Sequence, residues 1–152
     1  MLGTFILWFG WYGFNCGSTG TVNVYLIGRI GMHTSLGGLG GGVITYCLHF
    51  LYNRGTNNLY SVTAMCNGVL AGLVAITASC NNVESYIAFL LGVLGGALYF
   101  YLVRVFYKLQ IDDPLDAFPM HGGCGILGVL AVGFIDQEKG IFYGDDGRQL
   151  GN

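Results

Sequence analysis

Charge is scarce in this chain. Lys, Arg, Asp and Glu make up only 9% of its 152 residues, where a soluble domain carries about 25%, so it cannot dress the water-facing surface of a globular domain. The net charge of −2 comes without any cluster of basic residues, which excludes nucleic acid as a partner. Paired cysteines are missing too. Cys16, Cys47, Cys66, Cys80 and Cys124 form no C-x-x-C motif and no zinc-ligand spacing, and their odd number rules out a complete disulfide framework. Four of them lie in apolar segments and read as small packing residues. Cys80, near a helix end, is the one that solvent is expected to reach. Nothing calls for a metal or a cofactor. The N-terminus lacks the basic region and small-residue cleavage site of a signal peptide. It is apolar at once, as a chain starting inside a helix would be, and further residues are expected upstream of Met1 in the complete protein.

What the chain does have is apolar length and glycine. Hydrophobic residues make up 53% of it and glycines number 27, with a mean hydropathy of +0.59. The glycines lie within apolar runs, which fits neither collagen nor a flexible linker but suits membrane helices in close approach. These features predict an all-α polytopic membrane protein with spans at about 2–17, 33–52, 59–79, 85–103 and 114–135 and a loop over 136–152. Thr19 to Met32 reads as a polar connector holding Arg29, and Asn53 to Asn58 as a turn-rich loop. The run Gly37-Gly38-Leu39-Gly40-Gly41-Gly42 would cost a soluble helix about 1 kcal/mol per glycine against alanine. It is tolerable where another helix packs on the backbone, and Gly68 with Gly72 and Gly92 with Gly96 offer contact faces of matching spacing. His33 and His49, towards the two ends of the second span, are assigned to the interfaces. Arg54, Arg104 and Lys108 share one side, and Arg29, Lys139 and Arg148 the other, where acids dilute them. The positive-inside rule leans towards a cytoplasmic side holding Arg54 and Lys108.

The stretch from Asp112 to Gly128 concentrates the chemistry. Acidic residues around Pro114 suit a helix N-terminus, facing its unpaired amides and the positive end of the dipole. Counting from Pro114, His121 lies roughly 10 Å into the fifth span. An ionisable side chain there marks an ion or proton pathway, against the plainer reading of a neutral histidine bonded to a neighbouring helix. Pro119 removes an amide donor two residues earlier and is expected to kink the helix. At the other end of the chain, Trp8, Trp11 and Tyr12 read either as an interfacial belt or as a platform whose ring faces hold a cation.

Gly10-Trp11-Tyr12-Gly13-Phe14-Asn15-Cys16-Gly17-Ser18 and Asp112-Asp113-Pro114-Leu115-Asp116 through His121-Gly122-Gly123-Cys124-Gly125 together resemble the ammonium transporter family, on its eukaryotic, plant-like side. Cys66-Asn67-Gly68 and Ile76-Thr77-Ala78-Ser79-Cys80 resemble it as well. The resemblance implies about five transmembrane helices of an eleven-helix ammonium transporter fold, residues 1–152 being a partial domain that covers roughly the sixth to tenth helices. It implies that His121 is one of a facing histidine pair in a hydrophobic pore, with Phe14 in the outer gate. Ser18 matches the outer ammonium recruitment site, Trp11 a supporting position beside it, and Asp116 a capping position at the cytoplasmic end of the helix that carries His121. The partner histidine and the remaining outer-site residues lie on helices that residues 1–152 do not contain.

The function so implied is ammonium transport, with methylammonium as analogue substrate, by a homotrimer in the plasma-membrane bilayer. Ammonium is recruited at an aromatic and serine site, deprotonated, and passed as ammonia through the pore while histidines relay the proton. Two alternatives stand beside it, an ammonium sensor or regulatory subunit and a truncated inactive product. An intramembrane enzyme using His121 with Cys124 has the spacing of one helix face but no third group to orient a base and nucleophile, so no catalytic residues are assigned. By itself, residues 1–152 fall short of a full set of pore helices and are expected to conduct no ammonium.

Overall fold

The structure, a computed structural model, describes residues 1–20, 22–57 and 59–143. Among these residues all regular structure is helical. The chain runs through α1 (Leu2–Gly17), α2 (Val24–Tyr52), α3 (Val62–Thr77), α4 (Ser85–Lys108), a π-helical turn π1 (Phe118–Gly123) and α5 (Cys124–Ile135), with π1 and α5 forming one rod. Thr21, Asn58 and the end of the expected 136–152 loop, Arg148 included, lie outside the described residues.

α4 runs to Lys108 rather than ending at 103, and two helix starts differ from expectation, each because of a side chain that caps a helix. The supposed connector from Thr19 to Met32 is largely the first part of α2. Asn23 accepts hydrogen bonds from the amides of Tyr25 and Leu26 at 3.1 and 3.2 Å, satisfying two orphan donors and starting the helix there. With 29 residues, α2 is about 44 Å long, longer than a hydrocarbon core of about 30 Å. Arg29 is satisfied within this extra length, donating to the carbonyl of Val83 at 3.0 Å and to the side-chain oxygen of Gln137, whose amide donates in turn to Glu84.

The last rod starts at Phe118 rather than at Pro114. The carboxylate of Asp113 accepts the amides of Ala117 and Phe118, both at 2.8 Å, and so takes the capping role expected of Asp116. Pro119 therefore falls in the first turn, where its missing amide removes no helical bond, and the expected mid-helix kink has no cause. His121 sits in that same first turn rather than deep along the rod.

By length and composition, α4 and the rod Phe118–Ile135 are long and apolar enough to cross a membrane, and α3 is a shorter apolar helix. α2 has the length, but glycines, hydroxyls and histidines dilute its hydropathy. Its middle is instead enclosed between α3 and α4. A Cβ on Gly41 would lie 2.2 Å from the Gly68 carbonyl oxygen of α3, and one on Gly72 would lie 2.2 Å from that of Gly37. From α4, a Cβ on Gly92 would meet the Gly37 oxygen at 2.1 Å, and one on Gly96 the Gly41 oxygen at 2.5 Å. The glycine run thus packs backbone to backbone against both small-residue faces. α1 packs on α2 and α3, and the π1–α5 rod on α3 and α4.

Burial overturns two single-residue expectations. His33, 1% exposed, is no interfacial residue: its Nδ1 is 2.8 Å from the Cys80 carbonyl and its Nε2 is 3.2 Å from the Ser85 hydroxyl. The histidine ties α2 to the α3–α4 connector. Cys80 is 6% exposed, with burial holding its thiol up at about 11; the exposed cysteine is Cys47.

Because backbone oxygens cannot rotate away, Gly41→Ala is expected to cost about 1–3 kcal/mol. Gly10→Ala, with nothing within 4 Å of the added carbon, is expected to be neutral or stabilising by up to about 1 kcal/mol. Thermal unfolding of the two variants in detergent checks the contrast.

Candidate functional site

The bundle has two ends, one holding Ser18, the 78–84 connector and the exit of α5, the other holding the α2–α3 and α4–π1 connections. At the first end, Trp11, Phe14 and Ser18 fall at helical spacings of three and four and share one face of α1. Phe14 is 63% exposed. The Ser18 hydroxyl donates to the Phe14 carbonyl at 2.6 Å, closing the last turn of α1 and leaving its oxygen lone pairs free to accept. The indole of Trp11 donates to the Thr77 hydroxyl at 2.8 Å, which in turn donates to the Leu73 carbonyl at 2.7 Å. That chain fixes the ring of Trp11 against α3. Beside it, the Tyr12 and Ser35 hydroxyls lie 2.8 Å apart and Asn15 donates to Thr34 at 3.1 Å, binding α1 to α2.

At the opposite end, His121 is exposed in π1 and makes no side-chain hydrogen bond among the described residues. Pro119 and Met120 before it are buried, and the buried Cys124 thiol donates to the Gly95 and Pro119 carbonyls at 3.3 and 3.4 Å. Phe118 stacks on Phe106 of α4 at 5.1 Å between centroids. These contacts anchor the rod on α4 and leave His121 on its uncovered side. Asp116 precedes π1 in a left-handed conformation, φ 53, a strained state for a residue with a side chain. Its carboxylate accepts the Tyr99 hydroxyl at 2.7 Å, and Tyr99 accepts from Asn67 at 2.8 Å. Asp116 therefore stands at the start of the rod, held from α4 and α3 rather than capping it.

The structure gathers Trp11, Phe14 and Ser18 on one helix and keeps His121 and Asp116 apart from them. No contact joins α1 to the π1–α5 rod among the described residues; α3 stands between. It holds α1 through Thr77 and the rod through Ala75, whose carbonyl oxygen would be 2.5 Å from a Cβ on Gly128. Sequence reading gave no role to Thr77, Asn67 or Tyr99. The first two lie in stretches that drew notice only as resemblances, and Tyr99 is one of 10 tyrosines with no local pattern to mark it.

A model of the Ammonium Transporter Family matches residues 1–152, the whole chain. The chain belongs to the ammonium transporter family. Members of this family are integral membrane proteins. The chain is 37% identical over 169 residues to ammonium transporter 1 member 4 of Arabidopsis thaliana, covering 99% of this chain and 32% of that one. It is also 37% identical over 143 residues to ammonium transporter Amt2 of Archaeoglobus fulgidus, covering 93% of this chain and 30% of that one. Among solved structures, Mep2 of Saccharomyces cerevisiae superposes with a TM-score of 0.83 at 32% identity, over 90% of this chain and 30% of Mep2. A structure described as a sensor Amt protein matches at 0.79 and 36% identity, over 96% of this chain and 35% of that one. The chain spans about a third of the length of these relatives.

Two measurements probe the family member's ends. Tyr99→Phe removes one hydroxyl and unpairs both Asn67 and Asp116, and is expected to cost about 1–2 kcal/mol, read as a lowered melting temperature. At the Ser18 end, Asp136 follows α5. Burial would raise its carboxyl above the usual 3.8, but bonds from the Lys139, Glu138 and Asn82 nitrogens outweigh it and hold the group below that value. A depressed folded pKa adds stability that is complete above the ordinary carboxylate range and is lost as pH falls through the folded value. Hydrogen exchange at the Glu138 and Lys139 amides is expected to lose protection over that acid window, and Asp136→Asn to remove the dependence.

Proposed function

We propose that this chain forms part of an ammonium-conducting pore. In this reading ammonium is recruited at Ser18 and Trp11 on the outer side, deprotonated, and passed as ammonia beyond the Phe14 gate while His121 takes part in a proton relay. The observation that carries it is the Ser18 hydroxyl. Its proton is engaged by the Phe14 carbonyl, so its oxygen is an acceptor for an N–H donor, as a cation with no lone pairs requires. Trp11 supports the same role, because its indole N–H is held by Thr77 and its ring face remains the part that attracts a cation.

The charge cannot travel on. Desolvating an unpaired ion in an apolar passage is prohibitive, whereas neutral ammonia is tolerated, and imidazole both donates and accepts protons. Potassium, with no proton to release, is rejected by the same step. The membership of a transporter family supports carriage rather than chemical conversion of the substrate. The reading extends to a homotrimer in the plasma membrane, with the Ser18 end outside and Asp116, Arg54 and Lys108 on the cytoplasmic side. Methylammonium serves as the analogue substrate. The helices beyond residues 1–152 supply the rest of the pore, including a histidine facing His121.

A second reading, an ammonium sensor or regulatory subunit, is favoured by the likeness to the sensor Amt protein. It would use the recruitment site but conduct poorly. Grafting residues 1–152 into the matching third of Archaeoglobus fulgidus Amt2 and measuring methylammonium uptake separates the two. Conduction predicts uptake that His121→Ala abolishes and that Ser18→Ala shifts to about tenfold higher substrate concentration. A folded graft that takes up nothing supports the sensor, and uptake indifferent to both substitutions sinks the proposed pathway.

A further inference from the structure

Between α4 and π1 the chain passes twice through a left-handed conformation that side chains disfavour, at Gln110 with φ 57 and at Asp116 with φ 53. Gln110 stands just past the C-terminus of α4. Its amide and that of Ile111 donate back to the Tyr107 and Phe106 carbonyls at 3.2 and 3.0 Å, so the ending of a helix accounts for it. Asp116 ends no helix. It closes the turn from Asp113, to whose carbonyl its amide donates at 3.0 Å. Backbone strain of this kind persists where the surroundings over-determine it, and it gathers at functional positions.

What holds Asp116 is Tyr99 of α4, 5% exposed. Its hydroxyl has one proton to give, and because Asn67 of α3 donates to its oxygen at 2.8 Å, that proton is committed to the Asp116 carboxylate at 2.7 Å. Asp116 passes the constraint along the rod, its carbonyl accepting the amide of Met120, the residue before His121, at 3.0 Å. Beyond His121 the rod meets α4 again. A Cβ on Gly123 would lie 2.2 Å from the Leu102 side chain, and the Cys124 thiol donates to the Gly95 carbonyl. His121 therefore lies between two attachments to α4. Apolar contacts such as Phe118 on Phe106 are non-directional and let a helix turn about its axis, whereas a hydrogen bond fixes direction.

We infer that Tyr99 is a positioning residue for His121: through Asp116, its hydroxyl sets the rotation of π1 that turns the imidazole to the uncovered side of the rod. The work given to that imidazole rests on the pore reading above, while the positioning itself does not.

The test has two arms. In the full chain in detergent, hydrogen exchange at the Met120 amide reads the Asp116 contact directly. Tyr99→Phe is expected to speed it about tenfold and to leave amides in the middle of α4 protected. In the Archaeoglobus fulgidus Amt2 graft, the same substitution is expected to lower maximal methylammonium uptake per folded molecule about tenfold. The half-saturating concentration stays the same, because Ser18 stands at the other end of the bundle. A purely structural role would change only the amount of folded protein. Asp116→Asn keeps an acceptor and tolerates the left-handed conformation, so it is expected to retain more uptake than Asp116→Ala. With Asp116→Gly in place, which takes that conformation unaided, Tyr99→Phe is expected to add no further loss. Unchanged Met120 exchange in Tyr99→Phe overturns the inference, as does unchanged uptake in a graft that His121→Ala silences. Asp116→Asn no better than Asp116→Ala overturns it as well, and this comparison decides alone where Tyr99→Phe does not fold. A graft that takes up nothing, with Met120 exchange still speeded by Tyr99→Phe, sinks conduction and supports the positioning.

Discussion

The Gly37 carbonyl oxygen occupies the space where a side chain on Gly72 or on Gly92 would begin. That contact, repeated at Gly41 against Gly68 and Gly96, lets three helices meet at backbone distance. Six glycines in helices are unfavourable one by one, at about 1 kcal/mol each. They are stable here because dispersion between touching backbones and the exclusion of lipid from the seam replace the side-chain packing that glycine cannot offer. A single methyl group would push the helices apart, so the crossing is rigid and the positions of the helix ends follow from it.

α3 inherits the central place. It touches α2 through glycine, α1 through Thr77 and the π1–α5 rod through Ala75. The residues at issue for function lie on its two sides, with Trp11, Phe14 and Ser18 on one and His121 on the other. They also stand at opposite ends of the bundle, so their relative placement is set by the length and thickness of α3 rather than by any bond between them. Polar ties appear mainly at the ends, as in the Arg29–Gln137–Glu84 chain and the Asn67–Tyr99–Asp116 chain. A structure built this way has a dry, unyielding middle and hydrogen-bonded ends, as a low-dielectric core that penalises every unpaired polar group demands.

Helix boundaries show where local reading stopped short. Arg29 and its polar neighbours suggested a connector, yet Asn23 caps a helix that carries Arg29 along its side and satisfies it from Val83 and Gln137. Pro114 suggested a helix start, yet two bonds to Asp113 place it at Phe118 and turn Pro119 from a kink into a first-turn residue. Three acids crowd that stretch, and only folded geometry distinguishes Asp113, which caps, from Asp116, which is held by a tyrosine of another helix.

By itself the sequence determined the solvent class of the chain, its all-helical build, the order of its helices, the glycine faces available for contact and the motifs of its family. These are properties of composition and of short spacing along the chain. Tertiary structure alone decided that His33 is buried between Cys80 and Ser85 rather than interfacial, that Cys80 rather than Cys47 is hidden, and that Tyr99 holds Asp116. The His33–Cys80 bond joins residues 47 positions apart. Burial and hydrogen bonding depend on which distant segments the glycine crossing brings together, and that distance leaves no trace in the local pattern of residues.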